Sequence, residues 1–162
     1  MRSARRDAVE LALVCAASFA ANFVSLVFYF LEVLQRSRTV DALACAVAGV
    51  AAAIPFIVGL HELLHVATVR ALGSRAAVKV FPLGFQTLFL DSLPLRKAAL
   101  VYLAPLLVAP APLALQAASL PWIYAILWVA HCFGDAIALC FRLSEKAEAF
   151  VCSLDGRVIA LR

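Results

Sequence analysis

His61, Glu62 and His65 fall within the run His-Glu-Leu-Leu-His, inside a long apolar stretch where ionisable side chains are costly. On a helix, His61 and His65 stand one turn apart and face the same way. Both imidazoles can then reach one metal ion. Glu62, beside them, is placed to take a proton from a water activated by that ion. This is the H-E-x-x-H pattern of zinc-dependent hydrolysis. An ionisable residue at the centre of a membrane helix costs about 2.5–3.5 kcal/mol on insertion scales, so three together need a compensating role. The plainer alternative is a polar cluster that hydrogen-bonds neighbouring helices.

Two histidines leave a catalytic zinc site one protein ligand short. The best-placed candidates lie in His131-Cys132-Phe133-Gly134-Asp135. Depth separates them. His61 and His65 lie nine and five residues before Arg70, whereas Asp135 and His131 lie seven and eleven before Arg142. At about 1.5 Å per residue, Asp135 falls near the depth of the histidine midpoint, and His131 about 6 Å deeper on the same face. Asp135 is the expected third ligand and His131 the alternate. If Asp135 binds the metal, His131 is free to support another ligand or a developing oxyanion. Cys132 points to a different face. Gly134 permits close helix approach.

The elements that must position these residues are membrane helices. The 162 residues are 65% hydrophobic, with mean hydropathy +1.00, well above a soluble domain of this size. The fold class expected is a mainly α polytopic membrane protein, one domain over 1–162, with four transmembrane helices at about 8–34, 42–69, 98–118 and 121–141. Glu10 and Glu32 lie near the ends of the first span. Pro55 should kink the second helix, and Pro105, Pro110 and Pro112 crowd the third. Two β-hairpins, about 77–90 and 150–161, should form a small β layer on the cytoplasmic side. Pro82-Leu83-Gly84 and Asp155-Gly156 mark their turns. Within the first, Phe85, Gln86, Thr87 and Leu88 form a candidate edge strand for an extended substrate.

Charge sets the expected orientation. Of 14 Lys and Arg residues, 12 flank one side of these spans, and only Arg36 and Arg38 lie on the other. The positive-inside rule therefore puts both termini and the middle loop in the cytoplasm. The formal net charge of +4 reads as topology, not nucleic-acid binding. Five cysteines, Cys15, Cys45, Cys132, Cys140 and Cys152, include no C-x-x-C pair and read as packing residues. The small-residue stretch 44–53 can pack within one chain or between chains, so the oligomeric state stays open.

Four spans, His61-Glu62-Leu63-Leu64-His65 near the cytoplasmic end of a helix, and an aspartate from a later helix resemble the site-2-protease type of intramembrane zinc metalloprotease. The chain is most similar to the zincin peptidase family of small bacterial and archaeal membrane proteins, in which a later Gly-Asp motif accompanies H-E-x-x-H. The resemblance implies one Zn2+ per chain on His61, His65 and Asp135, with Glu62 as general base. It further implies a membrane protein substrate and a prokaryotic plasma membrane. The pattern departs in one respect. Better-studied site-2 proteases carry Asn-x-x-Pro-x-x-x-Leu-Asp-Gly around the third ligand, whereas here the order is Gly134-Asp135 and the only asparagine is Asn22. Oxyanion stabilisation is thus unassigned. The expected function is hydrolysis of peptide bonds in membrane or membrane-proximal proteins. The alternatives are a haem-carrying protein ligated by His65 and His131, which leaves Glu62 without a task, and a non-catalytic metal-binding membrane scaffold.

Overall fold

The computed structural model describes residues 4–81, 84–109, 121–145, 147–154 and 158–161. Among the described residues, four helices carry the chain: α1 (Ala4–Ser37), α2 (Val40–Ala71), α3 (Leu95–Leu107) and α4 (Trp122–Leu143). Five short strands accompany them: β1 (Ala76–Phe81), β2 (Gly84–Phe89), β3 (Leu93–Pro94), β4 (Ala149–Cys152) and β5 (Val158–Leu161). Three of the helices, α1, α2 and α4, are long and apolar enough to cross a membrane. Of the span expected over 98–118, the described residues carry α3 as far as Leu107; α3 itself has 13 residues, about 20 Å, which is shorter than the hydrocarbon thickness. Pro105 stands in its last turn, where the chain leaves the helix. Residues 110–120, with Pro110 and Pro112, lie outside the described residues.

Local sequence explains where the helices start and stop. Only Arg38 and Thr39 link α1 to α2, and Arg38 takes a positive φ of 53° to reverse the chain. Thr39 then caps α2, accepting from the Ala42 amide at 3.3 Å. Helix α2 continues through Pro55 to Ala71. Its end is closed by Gly73 at φ 80°. Ser74 N–H donates to Val69 O (3.1 Å) and Gly73 N–H to Arg70 O (2.9 Å), the paired bonds of a Schellman motif.

Helix α4 is the central element and packs against all three others. Gly49 approaches the Tyr124 hydroxyl while His61 and His65 meet Asp135, so α2 and α4 run in the same direction. Helix α1 runs opposite to α4. A Cβ on Gly134 would meet Ser18 Oγ at 3.0 Å and Val14 Cγ1 at 3.2 Å. At the other end, Trp122 Nε1 donates to Glu32 Oε2 at 2.6 Å. Glu32 also pairs with Arg36 at 2.6 Å. The close approach that Gly134 permits is therefore to α1. Ile123, Leu127 and Trp128 of α4 form the apolar core with Val50 and Ile57 of α2 and with Ala109.

A second core lies at the C-terminal ends of α2 and α4. Strands β3, β4 and β5 form an antiparallel sheet in that order, with Leu93 opposite Phe150 and Phe150 opposite Ala160. Phe150 is fully enclosed between this sheet and the helix ends, with Val69, Ala98 and Val101. Arg142 is buried there, not free in a loop, and its guanidinium bonds Glu145 Oε1 at 3.0 Å. Both expected hairpins are present, β1–β2 and β4–β5. Pro82, Asp155 and Gly156 of their turns lie outside the described residues. The two-residue β3 was not foreseen: a Leu-Pro pair carries no alternation to read.

Candidate metal centre

The His-Glu-Leu-Leu-His segment is one continuous stretch of α2, so the helical spacing delivers both imidazoles to one side. His61 and His65 are 4% and 5% exposed, against 58% for Leu63 between them. Asp135 comes to them from α4. Asp135 Oδ2 lies 2.9 Å from His61 Nε2 and 3.2 Å from His65 Nε2, and the two Nε2 atoms are 3.1 Å apart. The three residues offer one ligand atom each within a common 4.8 Å and could hold a metal ion.

A backbone group fixes one ring. His65 Nδ1 lies 2.7 Å from the carbonyl oxygen of Val101 in α3. A carbonyl can only accept, so the neutral tautomer it favours carries the His65 proton on Nδ1 and presents Nε2 as the ligand atom toward His61 and Asp135. This partner was invisible in the sequence, because a backbone carbonyl has no residue signature. His61 is enclosed by the rings of His65, Trp128 and His131, at centroid distances of 4.8, 6.1 and 5.7 Å. Trp128 is held by its own bond to Pro105 O at 3.0 Å. His131 thus stands beside His61 but contributes no atom to the cluster, and its buried Nδ1 makes no hydrogen bond among the described residues. The Nδ1 of His61 is likewise buried without one. Cys132 is turned into the core and donates its thiol to Trp128 O.

The Glu62 carboxylate meets β2. Thr87 Oγ1 lies 2.7 Å from Glu62 Oε2 and 3.2 Å from Glu62 O. This contact sets the depth of the β1–β2 ribbon. Glu62 precedes Arg70 by eight residues, about 12 Å of helix. The ribbon base at Arg75 and Leu90 follows the end of α2, so the strands run back alongside that helix instead of lying across its end. Val78, Val80 and Phe85 share the Thr87 face by register, and all three are exposed. Leu88 is 2% exposed and faces the core, so its backbone alone is available to a bound peptide. Gln86 pairs with Lys79 in register. Among the described residues, no strand pairs with the second edge of β2.

The ribbon base is pinned electrostatically. Arg75 donates to Asp91 from its backbone N–H (2.7 Å), Nε (3.0 Å) and Nη2 (2.7 Å). These bonds hold the Asp91 carboxyl down at about 2, below the ordinary carboxylate range, and raise the Arg75 guanidinium. In the neighbouring core, burial pushes the Cys152 thiol up to about 11, which keeps it protonated.

Comparison with known proteins yields no match to this chain, whether among protein-family models, curated proteins or solved structures.

Proposed function

We propose that this chain is an intramembrane zinc metalloendopeptidase acting on membrane or membrane-proximal proteins. His61, His65 and Asp135 hold one zinc ion, and Glu62 carries the proton. The observation that carries this reading is the triangle of His61 Nε2, His65 Nε2 and Asp135 Oδ2, with sides of 2.9, 3.1 and 3.2 Å. Three ligands of a tetrahedral zinc at about 2.0–2.1 Å stand roughly 3.3 Å from one another, so the donors fit with shifts of a few tenths of an ångström. The donor types, two imidazoles and a carboxylate, are those of catalytic zinc. Val101 O supplies the outer acceptor that a ligating histidine ordinarily has. The same triangle also suits an imidazolium–carboxylate pair, which metal content distinguishes.

When bound, zinc would acidify a water and polarise the scissile carbonyl. The Glu62 carboxylate accepts the proton of the attacking water and delivers it to the departing amide nitrogen. The substrate enters extended, because a helical carbonyl is already bonded and enclosed. The open edge of β2 offers main-chain partners beside Glu62, by strand addition. Val78, Val80 and Phe85 offer apolar contact to a segment arriving from lipid.

The proposal includes four membrane crossings with both termini in the cytoplasm of a prokaryotic cell. Parallel α2 and α4 support it. If both span, the chain between them must return across the bilayer, and α3 with residues 108–121 is the segment available. The direction of α3 agrees, since Val101 lies at His65 whereas Pro105 lies at Trp128.

The test is cleavage of fluorescein-labelled casein, an unfolded generic substrate, by the detergent-purified chain. Cleavage that stops with a chelator, returns with zinc and is lost in Glu62→Gln is expected. Cleavage retained by Glu62→Gln would remove this mechanism.

A further inference from the structure

We infer that Thr87, on strand β2, is the positioning residue for Glu62, an inference that rests on the proposed role of Glu62 as proton carrier. A glutamate has three side-chain torsions, and helix α2 alone does not fix them. Among the described residues, the Thr87 hydroxyl is the hydrogen-bond partner of the Glu62 carboxylate, at 2.7 Å from Oε2. The same hydroxyl lies 3.2 Å from the backbone oxygen of Glu62. One donor hydrogen thus faces two acceptors of a single residue, and the shorter contact is to the charged one. Bonded at Oε2, the carboxylate leaves Oε1 as the oxygen that receives a proton.

The donor comes from a well-held element. Thr87 pairs with Val78 across the ribbon, and its neighbours Leu88 and Phe89 are each 2% exposed. Thr68 provides the contrast: its hydroxyl donates to Leu64 O, one turn back in its own helix. Thr87 instead serves a side chain on another element. The strand with the open edge and the residue that moves the proton are therefore joined by one hydrogen bond. Thr87 acts on the reaction through Glu62, not as a substrate contact.

The test uses the full chain in detergent, native and as Thr87→Val, which keeps the shape without the hydroxyl, and Thr87→Ser, which restores it. With labelled casein, Thr87→Val should lower kcat about 10- to 100-fold, the scale of a misplaced catalytic group, while KM stays within about twofold. Thr87→Ser should recover most of the rate, and zinc content should be equal in all three. A readout independent of turnover is the infrared carboxylate band of 13C-glutamate-labelled protein, assigned to Glu62 by its loss in Glu62→Gln. That band should move in Thr87→Val and stay in place in Thr87→Ser. An unmoved band, or native kcat in Thr87→Val, overturns the positioning role while leaving the protease reading intact. A native chain that binds no zinc and cleaves no casein, yet whose band moves with Thr87→Val, removes the protease reading and supports the hydroxyl–carboxylate link.

Discussion

At the residue scale, the centre divides its work between two sides of one helical turn. His61 and His65 face Asp135, whereas Glu62 faces Thr87. That division yields a prediction. Glu62→Gln should keep zinc at the native stoichiometry and lose casein cleavage by at least about 10²-fold, the lower end for a general base. Parallel metal analysis and turnover check both halves, and joint loss of zinc and activity would make Glu62 a structural member of the site. Much of this arrangement was legible in the chain. The spacing of His61 and His65 follows from helix geometry, and a count of residues back from Arg70 and Arg142 put Asp135 at their depth. What could not be read is how other elements pack onto these residues. Val101 acts through a backbone carbonyl, and Thr87 is an ordinary strand threonine until the ribbon lies along α2.

At the element scale, α4 holds Asp135 in place through its contact with α1, and the residue before Asp135 is the point of closest approach. Gly134→Ala should be net destabilising, because the new methyl group meets Ser18 Oγ at 3.0 Å and Val14 Cγ1 at 3.2 Å. Crowding of about 1–3 kcal/mol is offset in part by the roughly 1 kcal/mol that alanine gains over glycine within a helix. Ser18→Ala should recover part of that loss, measured by thermal unfolding in detergent. Additive losses would place the strain elsewhere. The ribbon base gives a pH prediction with a definite sign. Asp91 is depressed to about 2, so its contribution is complete above the ordinary carboxylate value near 3.8 and is lost as pH falls toward about 2. Protection of the β1–β2 amides, the exchange rate taken relative to the intrinsic rate at each pH, should fall over that window in the native chain and show no such step in Asp91→Asn. A step of equal size in Asp91→Asn would assign it to another group. Hairpin alternation and turn residues announced both ribbons, but the depth of the first is a tertiary fact. Of the span expected over 98–118, the described residues show α3 as far as Leu107, two residues beyond Pro105, and 110–120 lie outside them.

At the scale of the whole molecule, helices long and apolar enough to cross a membrane bring a polar triangle together toward the C-terminal end of α2, next to a strand that pairs on one side only among the described residues. If parallel α2 and α4 both span, an odd number of crossings lies between them, and under the proposed topology reporters fused to the two termini should both read as cytoplasmic. Termini on opposite sides would contradict the four-crossing topology. The central claim, that the triangle is a zinc site, is tested most directly by elemental mass spectrometry of the detergent-purified chain. About one zinc per chain is predicted for the native protein and for His131→Ala, whose imidazole lies outside the cluster, with loss in Asp135→Ala and His61→Ala. A native chain without zinc after purification under metal-replete conditions, or full retention of zinc by Asp135→Ala, would contradict it.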